Sequence, residues 1–134
     1  MPENILFVCV ENAGRSQMAE AFFKKYSRVK FNVISAGIIP SSELNSVVVQ
    51  VMKEIGIDLD TQSPKILSNS MIENSHTIVN MGCMDKESHP SIFVKDVIDW
   101  NVSDPKTQSI EQVRIIRDQI KSKVLNMIDS LKVD

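Results

Sequence analysis

The chain has 134 residues, of which 43% are hydrophobic and 24% are charged. This ordinary composition predicts one domain spanning residues 1–134. The net charge of −2 argues against nucleic acid as a partner, because such binding needs a basic surface. No apolar run approaches the roughly 20 residues of a membrane span, and the N-terminal sequence is unlike a signal peptide. We therefore expect a cytoplasmic protein, with no membrane association, whose two cysteines are thiols.

Hydrophobic patterning predicts alternating strands and helices in the first half of the chain. Asn4–Cys9 is typical of a buried strand, and apolar residues at helical spacing follow over residues 16–26. Residues 31–35 form a second short predicted strand. Pro40-Ser41-Ser42 is predicted to begin a second helix, which Gly56 ends as its C′ residue.

The second half of the chain completes an α/β pattern. Residues 58–69 are polar and are interpreted as a loop that a turn of helix can follow, while residues 77–81 form a third strand and 94–100 contain a fourth. Ser109 and Gln112 form a capping box before a long final helix. Strands mostly separated by helices predict an α/β three-layer sandwich around a four-stranded, mainly parallel sheet.

A short motif links the first strand to the first helix. The stretch FVCVENAGRSQMAE places Cys9 at the carboxyl end of the strand, where parallel sheets bind their ligands. The loop that follows is expected to turn its backbone N–H groups inward as a nest for an anion. The predicted oxyanion-binding residues are therefore Val10, Glu11, Asn12, Ala13, Gly14 and Arg15.

This motif also indicates nucleophilic chemistry. Arg15 can bind two oxygens of a tetrahedral oxyanion, and the helix N-terminus adds positive potential. The same surroundings favour the thiolate form of Cys9, to which Ser16 can donate a hydrogen bond. A thiolate beneath a bound oxyanion is a nucleophile facing its electrophile. The alternative, an inert buried cysteine and a surface arginine, requires this spacing to arise by chance.

The motif resembles one known superfamily. Cys9-x5-Arg15-Ser16, followed by Gln17-Met18-Ala19-Glu20, resembles the low-molecular-weight phosphotyrosine phosphatases, and their thiol-dependent arsenate reductase branch fits best. Further stretches resemble the same superfamily, and the match runs in order along nearly the whole chain: Ser35-Ala36-Gly37, residues 52–58 and residues 100–105. The resemblance implies the phosphatase-like fold.

The resemblance assigns roles to individual residues. It implies that Cys9 is the nucleophile, that Arg15 and the loop amides hold the oxyanion, and that Ser16 stabilises the thiolate. It also implies that Asp104, in Asp104-Pro105, is the general acid that protonates the leaving oxygen. An aspartate before proline also commonly begins a turn, which is the structural alternative.

Two activities are consistent with the resemblance. In an arsenate reductase, Cys9 attacks arsenic, and a second thiol then attacks Cys9 and releases arsenite. Cys83, the other cysteine, is the candidate resolving thiol; the alternative is that Cys83 is buried or idle and has no part in the reaction.

A low-molecular-weight protein tyrosine phosphatase instead hydrolyses phosphate monoesters through a Cys9 phosphoenzyme. Lys106 favours the reductase, because these phosphatases usually place an aromatic residue after Asp-Pro. A non-catalytic oxyanion-binding module is a third hypothesis.

The resemblance leaves the electron donor open and implies no cofactor. Thioredoxin-coupled reductases carry a third cysteine where this chain has His89, so the relay that moves the disulfide to the surface is missing. A Cys9–Cys83 disulfide is then reduced directly, with thioredoxin, glutaredoxin or a small thiol as candidate donors, or a small thiol resolves the adduct. Some relatives hold a structural potassium ion, and Asn12, Glu20 and Ser35 match three of its ligands. Lys65 stands where an aspartate is expected. We predict no metal, with Lys65 either in the cation's place or solvated.

Overall fold

The computed structural model describes residues 4–27, 31–82 and 97–131. Its elements in chain order are β1 (Asn4–Cys9), α1 (Arg15–Tyr26), β2 (Asn32–Gly37), α2 (Ser46–Lys53), α3 (Asn69–Asn74), β3 (Thr77–Asn80), β4 (Val97–Asp99) and α4 (Ile110–Leu131). The strands form one sheet of order β2-β1-β3-β4, in which every neighbouring pair is parallel. The predicted α/β fold with a four-stranded, mainly parallel sheet is confirmed.

Strand β1 lies inside the sheet and supplies side chains to both of its faces. Ile5 and Phe7 pack into the core formed with α1, α2 and α4. Leu6 and Val8 face the opposite side, where they pack with Ile72 of α3. This alternation follows from the two-residue period of a strand, and it buries β1 between two layers. Helices on both faces give the predicted three-layer sandwich.

The second helix begins later than the sequence predicts. Asn45 caps it, because its side-chain oxygen accepts hydrogen bonds from the backbone N–H groups of Val47 (2.9 Å) and Val48 (3.3 Å). The predicted start at Pro40-Ser41-Ser42 is therefore wrong, since α2 begins at Ser46. The segment before Asn45 is instead held by backbone hydrogen bonds to the loop after β1.

Two strand boundaries also differ from the prediction. Strand β2 runs to Gly37 rather than to residue 35, because its pairing with β1 continues as far as Cys9. Strand β3 ends at Asn80 rather than at residue 81, because the Asn80 side chain accepts a hydrogen bond from the N–H of Gly82 and turns the chain. The described part of the predicted fourth strand is β4, and residues 94–96 lie outside the described residues.

The predicted helix signals at Gly56 and Ser109 are confirmed. Gly56 has a φ of +81°, and the N–H groups of Gly56 and Ile57 donate to the carbonyls of Lys53 and Met52, as in a Schellman motif.

At the start of α4, the hydroxyl of Ser109 accepts a hydrogen bond from the backbone N–H of Gln112 at 3.2 Å. None of the described helices is long and apolar enough to cross a membrane.

Candidate active site

The loop after β1 carries the predicted site at the carboxyl edge of the sheet. Cys9 ends β1 and is 3% exposed, and Arg15 begins α1 and is 6% exposed. Asn12 has a φ of 53°, a left-handed conformation that asparagine tolerates better than most residues. The loop therefore curls between strand and helix, as predicted.

Four backbone carbonyls of this part of the chain are turned towards the segment that follows β2. They accept hydrogen bonds of 2.9–3.3 Å from the N–H groups of the segment after β2, in the pairs Ile38 to Cys9, Ile39 to Val10, Ser41 to Glu11 and Asn45 to Ala13. In a trans peptide the N–H group points opposite to the carbonyl of the same unit. Turning these carbonyls outward therefore turns the loop's N–H groups inward, which is the geometry of an anion nest.

Gly37 makes room for this loop, a role that the sequence analysis missed. A Cβ atom built on Gly37 would lie 2.5 Å from the carbonyl oxygen of Val10 and 2.9 Å from the nitrogen of Asn12. Gly37 is paired with Cys9 in the sheet. The sequence does show a glycine shortly after the second predicted strand. It does not show that this strand pairs with the strand that carries Cys9.

We expect Gly37→Ala to destabilise the protein and to distort the loop. Overpacking against backbone costs about 1–3 kcal/mol, which urea unfolding measures. Phosphate should also lose its ability to protect Cys9 from alkylation, because the nest no longer forms. Gly56→Ala is the control: it costs about 1 kcal/mol through its positive φ but leaves phosphate protection intact. Full protection in Gly37→Ala would contradict the assigned role.

A chain of hydrogen bonds ends on the Cys9 sulfur. The backbone N–H of Lys65 can only donate, and it bonds Oδ1 of Asn12 at 2.9 Å. The other end of the Asn12 side chain is therefore the amide nitrogen, which donates to Oγ of Ser16 at 2.7 Å. Ser16 Oγ lies 2.8 Å from Sγ of Cys9, so its hydroxyl can donate to a thiolate at that position. The N–H of Asn12 is a second donor, at 3.2 Å from the sulfur.

Gln17 fixes the loop from below and was not predicted as a site residue. It is fully buried, and its amide nitrogen donates at 3.0 Å to the backbone and side-chain oxygens of Asn12 and to the carbonyl of Ser63. A glutamine in the first turn of a helix that packs on the sheet could have indicated such a role. Its partners on another segment could not be read from the sequence.

Arg15 is oriented by two backbone carbonyls. Its Nη1 donates to the carbonyl of Val102 at 2.9 Å and to that of Met81 at 3.4 Å. Its Nη2 lies 3.7 Å from Oδ2 of Asp104. These contacts hold the buried guanidinium between the Cys9 loop and the loop that follows β4, so the structure brings together the predicted oxyanion ligand and the predicted general acid.

A cavity of about 520 Å³ opens above Cys9. It is lined by Cys9, Val10, Glu11, Ala13, Gly14, Arg15, Ser41, Ser42, Glu43, Leu44, Asn45, Ser46, Asp104, Pro105 and Lys106. Asp104 has a side chain 58% exposed, and its Oδ1 accepts a hydrogen bond from the N–H of Lys106 at 3.0 Å. Cys83 and His89 lie outside the described residues, so their roles stay predictions.

Glu20 forms a second buried cluster beneath the loop. Its Oε1 accepts from Oγ of Ser35 at 2.6 Å, and its Oε2 lies 2.6 Å from Nζ of Lys24. Nζ of Lys65 lies 3.8 Å from Oε1, while the backbone N–H of Lys65 bonds Asn12. The residues compared with a potassium site are thus neighbours. Whether the Lys65 ammonium replaces a cation stays a prediction.

A cysteine, an arginine and an aspartate around an amide-lined loop are typical of enzymes that attack a tetrahedral oxyanion with a thiolate. The family model for low molecular weight phosphotyrosine protein phosphatase matches residues 4–134. The chain therefore belongs to this family, and it is an enzyme of the family, as predicted.

Similar proteins place it near the arsenate reductases of that family. It is 36% identical over 133 residues to a putative arsenate reductase of Halobacterium salinarum, with 96% of this chain and 92% of the relative covered. It is 32% identical over 127 residues to the glutaredoxin arsenate reductase of Synechocystis, with 94% and 96% covered. A solved structure of an arsenate reductase in the phosphate binding state superposes with a TM-score of 0.86 at 31% identity, with 97% and 99% covered. The predicted resemblance to the arsenate reductase branch is confirmed.

Proposed function

We propose that this enzyme reduces arsenate to arsenite, with Cys9 as the nucleophile. The observation that carries the proposal is the Cys9 sulfur, which lies 2.8 Å from the Ser16 hydroxyl and 3.2 Å from the Asn12 N–H at the floor of an amide-lined loop. Two donors and an anion nest favour a thiolate facing a bound oxyanion. Relatives named arsenate reductase, matched over nearly their whole length, support the substrate.

The first step exchanges an oxygen of arsenate for sulfur. The Cys9 thiolate attacks arsenic, a sulfur–arsenic bond forms, and one arsenic–oxygen bond breaks. Asp104 gives its proton to the departing oxygen, which needs protonation to leave. Arg15 and the loop N–H groups hold the remaining three oxygens and their negative charge.

The second step transfers two electrons to arsenic. A second thiolate attacks the Cys9 sulfur, a disulfide forms, and the electron pair of the sulfur–arsenic bond stays on arsenic as arsenite leaves. We propose Cys83 or an external thiol as this second thiol, and a glutaredoxin, a thioredoxin or a small thiol as the reductant of the disulfide. The Synechocystis relative, named a glutaredoxin arsenate reductase, supports a donor of the glutaredoxin type. The proposed cytoplasmic location supplies reduced thiols.

Phosphate ester hydrolysis is the second candidate function. The cavity of about 520 Å³ falls in the range of roughly 300–1,000 Å³ that is usual for small-molecule sites, so it has room for a leaving group beyond the oxyanion. The same Cys9 chemistry then forms a phosphoenzyme that water hydrolyses. The family description supports this alternative.

One set of assays separates these functions. We expect purified protein to form arsenite from arsenate with at least one donor among thioredoxin, glutaredoxin and small thiols, and phosphate to compete with arsenate. Cys9→Ser is the control and should form none. Efficient hydrolysis of 4-nitrophenyl phosphate with no arsenite from any donor would establish the phosphatase instead. Inactivity in both assays would favour a non-catalytic oxyanion-binding module.

A further inference from the structure

An ion pair joins the two loops that face each other across the cavity. Oε1 of Glu11 lies 2.7 Å from Nζ of Lys106, and both residues line the cavity. Glu11 belongs to the loop that carries Cys9, whereas Lys106 follows Asp104-Pro105. The Glu11 carboxylate raises the pKa of Lys106 above its ordinary value, through the hydrogen bond and through its charge. Lys106 therefore stays protonated at neutral pH.

The turn that holds Lys106 is itself tied to the Asp104 carboxylate. The N–H of Lys106 donates to Oδ1 of Asp104 at 3.0 Å, and the N–H of Gln108 donates to the carbonyl of Pro105 at 3.1 Å. Thr107 has a φ of 66°, which fixes the direction in which the chain leaves the turn. The backbone of Lys106 and the carboxyl of Asp104 are thus directly bonded, so the position of one depends on the position of the other.

The turn also touches the Cys9 loop at a second point. A Cβ atom on Gly14 would lie 3.0 Å from Cγ of Pro105, so the proline ring sits directly against the glycine. Arg15 contacts the same turn through Asp104, at 3.7 Å. The ion pair between Glu11 and Lys106 adds a further contact, at the end of the turn that these two leave without one.

We propose that Glu11 and Lys106 are positioning residues, whose ion pair holds the Asp104-Pro105 turn so that the Asp104 carboxyl faces the leaving oxygen. The inference rests on the proposed roles of Cys9 and Asp104, and it holds for an arsenate or a phosphate ester substrate. The side chains of Glu11 and Lys106 are 37% and 63% exposed. Water weakens an ion pair at this exposure, so we expect its effect on the position of the turn to be small.

The test compares Lys106→Met, Glu11→Gln and the double variant on esters with different leaving groups. We expect each single change to lower kcat on phenyl phosphate roughly two- to five-fold, the size of effect usual for exposed ion pairs. The loss should be smaller on 4-nitrophenyl phosphate, whose leaving group needs less protonation. The double variant should be no slower than the slower single variant, and Lys106→Arg should retain the wild-type rate.

A second readout does not depend on activity. Amide hydrogen exchange at Lys106 and Gln108 should become faster in Lys106→Met, because the turn is less restrained. Arg114→Met is the matched control: it removes an exposed ion pair with Glu54, 2.7 Å long, that does not line the cavity. It should alter neither the exchange nor the rates.

Several results would overturn the inference. One is a double variant whose loss of kcat equals the two single losses combined. Another is an equal loss of kcat on phenyl phosphate and 4-nitrophenyl phosphate. A third is unchanged amide hydrogen exchange in the turn of the Lys106→Met variant. If the wild type turns over neither arsenate nor an ester, the proposed function fails, and the exchange comparison alone then decides whether the ion pair restrains the turn.

Discussion

Asp104→Asn is expected to slow turnover of phenyl phosphate by roughly 10²–10⁴, the usual contribution of a general acid. The substitution keeps the size of the side chain and an oxygen that can accept from the Lys106 N–H, so the turn stays in place. It removes the proton that the leaving oxygen takes. Steady-state rates on a series of aryl phosphates measure the effect, which should shrink as the leaving group improves.

Anion binding should survive this substitution. The substitution leaves Arg15 and the loop N–H groups in place, and it removes a carboxyl group that lies 3.7 Å from Nη2 of Arg15 and can compete with an anion for it. We therefore expect phosphate to inhibit the variant at least as strongly as the wild type. Asp118→Asn is the matched control, because Asp118 is an exposed aspartate on α4 that pairs with Arg117. Near wild-type rates on poor leaving groups would remove Asp104 from the mechanism.

The sequence predicts those site residues that lie close together along the chain. Cys9, Arg15 and Ser16 belong to one strand–loop–helix unit, so their residue types and spacing already indicate the chemistry. Asn12 is predictable for the same reason, since a left-handed residue in a tight loop favours asparagine. Asp104 was reached only through the resemblance, because nothing local distinguishes it from an ordinary turn residue.

The remaining contacts join residues that are distant in the sequence. Gln17 bonds Ser63, 46 residues away, and Glu11 bonds Lys106, 95 residues away. The need for Gly37 arises only when β2 pairs beside β1. Periodicity reports which face of an element is buried, but it does not report which element lies against that face. The same limit explains the misplaced start of α2, whose preceding segment is hydrogen-bonded to the Cys9 loop instead of forming a helical turn.

Cys83 is the candidate for the second thiol that arsenate reduction requires and phosphate ester hydrolysis does not. Nη1 of Arg15 contacts the carbonyl of Met81, which precedes Cys83 by two residues in the sequence. If Cys83 is the resolving thiol, arsenate should drive formation of a Cys9–Cys83 disulfide, one for each arsenite released. The two Cα atoms must then come within about 7 Å of each other. Mass spectrometry of the arsenate-treated, non-reduced digest should show the cross-linked peptides.

Cys83→Ser should then stop arsenate reduction and leave hydrolysis of 4-nitrophenyl phosphate unchanged, because water resolves the Cys9 phosphoenzyme and no second thiol is needed. Arsenite formation and nitrophenol release, measured on the same preparation, give the two rates. Cys9→Ser is the control that should lose both activities. If Cys83→Ser forms arsenite at the wild-type rate with a small thiol, the donor supplies the second sulfur itself, and Cys83 has no part in the electron transfer.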